Sequence, residues 1–126
     1  MSLPPRLPLA LFVLYTGLLL TATHWPGLAI HGPIDRTDLV IHACVYLVWG
    51  VLLGLSGLVG RSLPRLLLVG VLFAALDETT QPLFRRTFDL TDLGADAFGV
   101  VLACFVMRWH WGRRGRVAGA VRGGAA

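Results

Sequence analysis

Five of the seven acidic residues fall between positions 77 and 96: Asp77, Glu78, Asp89, Asp92 and Asp96, with Gln81, Arg85 and Arg86 among them. Three kinds of chemistry use such a set. A desolvated carboxylate near a histidine can exchange protons as a general acid or base. Arginine grips phosphate or carboxylate through a planar fork of donors. Several carboxylates with a histidine can hold a divalent cation. The setting sharpens the question, because the cluster lies between two apolar runs. Ionisable groups at bilayer depth are costly unless they face a bundle interior or a water-filled cavity, so a cluster of them there is a functional-site hypothesis by default.

The elements that must position these residues are helices. At 126 residues, 56% hydrophobic and 14% charged, with a mean hydropathy of +0.72, the chain carries too little polar surface for a soluble globule, where about a quarter of residues are charged. Its apolar runs fit four helices over roughly 7–23, 39–59, 63–81 and 91–108, each near the roughly 20 residues needed to span a membrane. Irregular backbone does not face lipid, so an all-α integral membrane four-helix bundle in a single domain of residues 1–126 is expected. A signal peptide is the other reading of the first run, but that run exceeds the usual apolar core and Thr21-Ala22-Thr23 is a poor cleavage site.

Arginine supplies all the basic charge and sets the orientation. Eight arginines (6, 61, 65, 108, 113, 114, 116 and 122) fall on one side and three (36, 85 and 86) on the other. The positive-inside rule then places both termini and a basic tail, residues 109–126, in the cytoplasm, with all seven acids toward the outer face. The tail's tryptophans and arginines read as an anchor on anionic lipid rather than a nucleic-acid site. Cys44 and Cys104 lie roughly 20 Å apart in depth by the helical rise, too far for a disulfide.

Counting the same rise from the inner-edge arginines places His42, Tyr46, Glu78, Gln81, Asp92 and Asp96 in one layer, roughly 18–28 Å up a core about 30 Å thick. They also form stripes. Asp38, His42 and Tyr46 recur at i, i+4 and i+8, Glu78 and Gln81 at i and i+3, and Asp92, Asp96, Gly99 and Ala103 at i, i+4, i+7 and i+11. Stripes that face one another avoid lipid, so a funnel is expected, polar and open to the outer face and closed by small residues at its inner end. Pro82 stops the third helix and Thr91 reads as the N-cap of the fourth. Arg86, with the start of that helix, would form an anion site. As an alternative, it only neutralises Glu78, Asp89 or Asp92. Gly50, Gly54 and Gly57 give the second helix a small face for the first helix or a second copy, leaving the oligomeric state open. His24 and His31 read as ordinary interface residues. Tyr15 and Trp49 lie deeper and are expected to bond internally.

The pattern Asp77-Glu78-x-x-Gln81, Arg86, Asp89, Asp92, Asp96 and Gly99, preceded by Asp38-x-x-x-His42-x-x-x-Tyr46, resembles the VanZ-like family of bacterial membrane proteins. That family is named for a protein associated with teicoplanin resistance. Thr23-His24-Trp25-Pro26 fits the polar end of the family's first helix. Leu39 stands where the family often has lysine, the Gln81 to Arg86 spacing is one residue shorter, and Phe84-Arg85 replaces a Pro-Gly. The resemblance implies a multi-pass protein of the bacterial cytoplasmic membrane with a role in the cell envelope, and no particular reaction.

Candidate binding residues are Asp38, His42, Tyr46, Glu78, Gln81, Arg86, Asp89, Asp92 and Asp96, with His42 and Glu78 as candidate proton carriers. One reading is a handler of an anionic or lipid-linked envelope precursor at the outer leaflet. The alternative is a non-enzymatic accessory or scaffold subunit whose buried polar network is structural. A cation site from Asp38, His42, Glu78, Asp92 and Asp96 ranks third, because the usual magnesium and calcium loops are absent. No metal or cofactor is therefore expected. No nucleophile is evident, since Cys44 lies two positions from His42 on another face.

Overall fold

The structure, a computed structural model, describes residues 6–26 and 36–123, with side chains through Arg113. His31 and Asp35, and the side chains of Arg114, Arg116 and Arg122, lie outside the described residues. The helices are α1 (Leu7–Thr23), α2 (Thr37–Ser56), α3 (Leu63–Thr80) and α4 (Leu90–Gly123), with a 3-10 turn at Gln81–Phe84 between α3 and α4. Three segments, Thr37–Ser56, Leu63–Phe84 and Leu90–Arg113, are long and apolar enough to cross a membrane. α1 is a shorter apolar helix of 17 residues, about 26 Å by the helical rise. Leu14, Leu68, Leu72 and Phe105 point outward, giving the bundle an apolar exterior suited to lipid.

Local chemistry sets the ends. Ser62 caps α3 by accepting the Arg65 N–H, and a proline follows within the first turn, where its missing donor costs nothing. α2 stops at Ser56, earlier than its apolar run implies, because Gly57 takes a left-handed φ of 85° and ends it as a C-terminal glycine does. α4 starts one residue earlier than expected, and its cap is Asp89 rather than Thr91. The Asp89 Oδ1 accepts the Thr91 N–H at 2.8 Å and the Thr91 hydroxyl at 2.6 Å. At its other end α4 runs through the basic tail to Gly123 with no proline to interrupt it, although the tail carries as many glycines as arginines and has low intrinsic helix propensity.

α2 packs most extensively against α4, with α1 on one side of α2 and α3 against α4. Small residues set how closely α2 and α4 approach. A Cβ at Gly50 would meet that of Ala103, one at Gly54 would meet the Met107 side chain, and one at Gly99 would run into the Ala43 backbone. The small face of α2 is therefore used on α4. The core is aromatic where α1, α2 and α3 meet. Trp49 stacks on Phe73 at 4.4 Å, tilts against Phe12, and donates its Nε1–H to the Thr16 hydroxyl at 3.0 Å. Tyr15 donates to the Val45 carbonyl at 3.1 Å, so both deep aromatics find their polar partners inside the bundle. Both cysteines are free.

Candidate functional site

Two polar networks form at the α2 amino-terminal and α3 carboxy-terminal end of the bundle. The first joins α2, α3 and α4. His42 on α2 meets Asp96 on α4, with Nδ1 2.8 Å from Oδ1, and its Nε2 lies 3.7 Å from the Asp92 Oδ2. One ring nitrogen of His42, one Glu78 oxygen and one Asp92 oxygen all lie within 4.8 Å of one another. Glu78 is fully buried and held from two directions. Gln81 Nε2 donates to its Oε1 at 2.9 Å, and the Asp89 backbone N–H donates to its Oε2 at 3.3 Å. The i, i+3 spacing of Glu78 and Gln81 makes the first bond local. The second requires the chain to turn back over the end of α3, which Pro82 and the left-handed Arg85 (φ 62°) accomplish.

The second network joins α1, α2 and α3 around Asp77, which is 1% exposed. Its Oδ1 accepts the Thr23 hydroxyl and its Oδ2 the Tyr46 hydroxyl, each at 2.9 Å. His24 Nδ1 lies 3.5 Å from Oδ1, its Nε2 bonds the Thr80 hydroxyl at 2.9 Å, and its ring meets Phe84 edge-on at 4.8 Å. Both Asp77 oxygens thus have donors, and the carboxylate ties three helices together.

The candidate residues therefore divide. His42, Glu78, Gln81, Asp92 and Asp96 converge. Tyr46 is buried but spends its hydroxyl on Asp77. Asp38 forms a long 3.9 Å pair with Arg36, both side chains about half exposed, an arrangement of little energetic weight. Asp89 serves as helix cap and as donor to Glu78 through its backbone. The hydroxyl and N–H of Thr91 hold its carboxyl below the usual carboxylate range. Arg86 is half-buried, anchored through its N–H to the Gln81 carbonyl at 3.3 Å, and lines a cavity of about 120 Å³ together with Leu19, Asp38, Ile41, His42 and Tyr46. Sequence reasoning missed Asp77, His24 and Thr80 as a unit. The signal was present in the polar end of α1 and in the i, i+3 spacing of Asp77 and Thr80, but a loop histidine beside Trp25-Pro26 reads as interfacial until the helices are packed.

Residues 10–111 match the VanZ/LLP1 family, a span that covers most of the chain and reaches into all four helices. The chain belongs to the VanZ/LLP1 family. No curated protein and no solved structure matches it. In this VanZ/LLP1 chain, membership and the three spanning-length helices together mark a membrane protein, and His42, Glu78, Gln81, Asp92 and Asp96 gather at one end of its bundle.

Proposed function

We propose that this VanZ/LLP1 protein binds an anionic, lipid-linked envelope precursor at the outer leaflet of the bacterial cytoplasmic membrane, a role related to glycopeptide (teicoplanin) resistance. The observation that supports it most is the composition of the cavity beside α1 and α2. Leu19, Ile41 and Val45 line it with apolar groups, while Arg86, His42 and Asp38 bring polar groups to the same space. An apolar wall under an arginine suits a ligand with an anionic head and a hydrocarbon tail. The cavity, about 120 Å³ and partly open, is large enough for a group the size of a phosphate with its first carbons, and the tail of such a ligand would extend from its open side along the helices. The arginine asymmetry orients the site outward with both termini inside, and reporter fusions after Gly60 and after Thr87 are expected to read cytoplasmic and external respectively.

The test is native mass spectrometry of the purified chain in detergent with polyprenyl phosphate, the polyprenyl alcohol of equal length, and inorganic phosphate. The phosphate lipid should be retained over the alcohol, and Arg86→Gln should remove the preference. Equal retention of the alcohol, or an unchanged preference in the variant, would overturn this reading in favour of a scaffold role.

A further inference from the structure

The network around His42 is under-satisfied in a specific way. With Asp96 ionised its oxygens only accept hydrogen bonds, and the 2.8 Å contact then assigns the proton to His42 Nδ1 and leaves Nε2 as a lone pair in the neutral ring. That lone pair faces another anion, the Asp92 Oδ2 at 3.7 Å, with a Glu78 oxygen beside them. Protonating Nε2 does not produce a good bond either, because 3.7 Å exceeds hydrogen-bonding distance. Among the described residues, the buried side-chain atoms without a hydrogen-bond partner are Asp92 Oδ1 and Asp96 Oδ2. Asp96, whose other oxygen holds the imidazole, is completely buried. Buried carboxylates with unused lone pairs, gathered around a lone-pair nitrogen, need a cation.

We propose that His42 Nε2, Asp92 and Glu78 form a binding site for one divalent transition-metal ion, zinc or manganese, with Asp96 as the carboxylate that orients the imidazole. Metal–ligand bonds of about 2.1 Å put the donors of a tetrahedral site roughly 3.4 Å apart, close to the 3.7 Å between His42 and Asp92, and the Glu78 oxygen, within 4.8 Å of both, closes the set by a small side-chain shift. A carboxylate that accepts from the distal N–H of a ligating histidine is the recurrent second layer of such sites, setting the tautomer and raising the ring's basicity. The imidazole in the donor set favours zinc over magnesium or calcium, which prefer all-oxygen surroundings, and the two carboxylates beside it also suit manganese. No metal-binding sequence loop exists because the three donors come from three helices, joined only by packing. Gln81 and the Asp89 N–H hold Glu78 through one lone pair on each oxygen, and each oxygen keeps another.

The full chain, purified in detergent without a histidine tag and stripped with chelator, is titrated with manganese chloride, following loss of the free-ion spin-resonance signal, and with zinc chloride by calorimetry. Metal alone is the probe, so the result is independent of the lipid reading. A single tight site per chain is expected, and saturating metal should raise the unfolding temperature. His42→Gln and Asp92→Asn should each weaken binding by more than about 100-fold, and Asp96→Asn by about 10–100-fold, the usual effect of removing a partner behind a ligand. His110→Ala, far along α4, should leave the affinity unchanged. X-ray absorption at the bound zinc should show nitrogen and oxygen neighbours, a readout on the wild-type chain that does not depend on the variants folding. Absence of stoichiometric binding, a sulfur shell, or wild-type affinity in His42→Gln and Asp92→Asn would overturn the proposal.

Discussion

Replacing Gly99 with alanine probes how the candidate site is held. A Cβ there would run into the Ala43 carbonyl oxygen and lie 2.9 Å from the Leu47 amide nitrogen and 3.1 Å from the Ala43 carbonyl carbon, where ordinary contact begins near 3.5 Å. All three atoms are backbone, so no side chain can rotate away, and α2 and α4 must part by roughly an ångström. Overpacking of this kind costs about 1–3 kcal/mol. The better helix propensity of alanine returns at most about 1 kcal/mol, so the clash wins and Gly99→Ala should lose about 1–2 kcal/mol. Asp96 lies one turn before Gly99 and His42 immediately precedes Ala43, so the same separation stretches the 2.8 Å bond between them. Thermal unfolding in detergent, followed by tryptophan fluorescence, measures the loss. Gly94→Ala is the control, because nothing lies within 4 Å of a Cβ at that position on the same helix. Its propensity gain should appear as a small rise. A Gly99→Ala protein as stable as the wild type, or a Gly94→Ala protein that falls equally, would refute the claim that a backbone contact sets the α2–α4 distance.

Arg85 ends the 3-10 turn at a φ of 62°, a conformation that costs an L-residue roughly 1–2 kcal/mol over glycine. Arg85→Gly should therefore raise the unfolding temperature, and a fall would show that the Arg85 side chain outweighs the strain. Tyr46→Phe removes the donor to Asp77 Oδ2 and should cost about 1–3 kcal/mol by leaving a buried acceptor unpaired; a neutral effect would mean that water replaces the hydroxyl. Because Thr91 donors depress the Asp89 carboxyl, the cap's contribution is complete above the unfolded carboxylate value and lost as pH falls through the lower folded one. The Thr91 amide resonance should accordingly titrate with a midpoint below about 3.9, and a midpoint at or above that value would contradict the cap.

Helix number and type were legible because nothing but helices suits long apolar runs of this kind, and the stripes at three- and four-residue spacing pointed the polar faces inward before any packing was known. The ends were harder. Thr91 and Asp89 are both good caps, and only the chain's path over Glu78 selects Asp89. Gly57 shares the spacing of the small face of α2, whereas its left-handed backbone ends the helix. At Phe84-Arg85, where the resemblance leads to the expectation of Pro-Gly, Arg85 takes a left-handed φ of 62°, a conformation that glycine adopts without strain. Within the site, depth counting gathered His42, Glu78, Gln81, Asp92 and Asp96 but assigned Tyr46 to the same group. Depth does not distinguish two faces of one helix bundle, and Tyr46 looks toward α1 and α3 while His42 looks toward α4.

That division separates scaffold from site. Asp77, Thr23, Tyr46, His24 and Thr80 form a network in which each Asp77 oxygen receives a donor, the condition under which a buried polar group adds rigidity rather than strain. One turn of helix away, Asp92 and Asp96 each keep a buried oxygen with no partner, and the His42 Nε2 faces an anion. Asp77 receives hydroxyl donors from α1 and α2, and no such donor reaches these two oxygens. A fold under selection for stability alone gains from pairing such groups or replacing them with apolar ones. Local rules are broken where a function needs the group in its unsatisfied form. The unsatisfied oxygens lie on α4 and the imidazole on α2, so the close approach at Gly99 holds the under-paired carboxylates against the ring. The packing contact and the polar cluster are therefore one device, and loosening the first should weaken whatever the second binds.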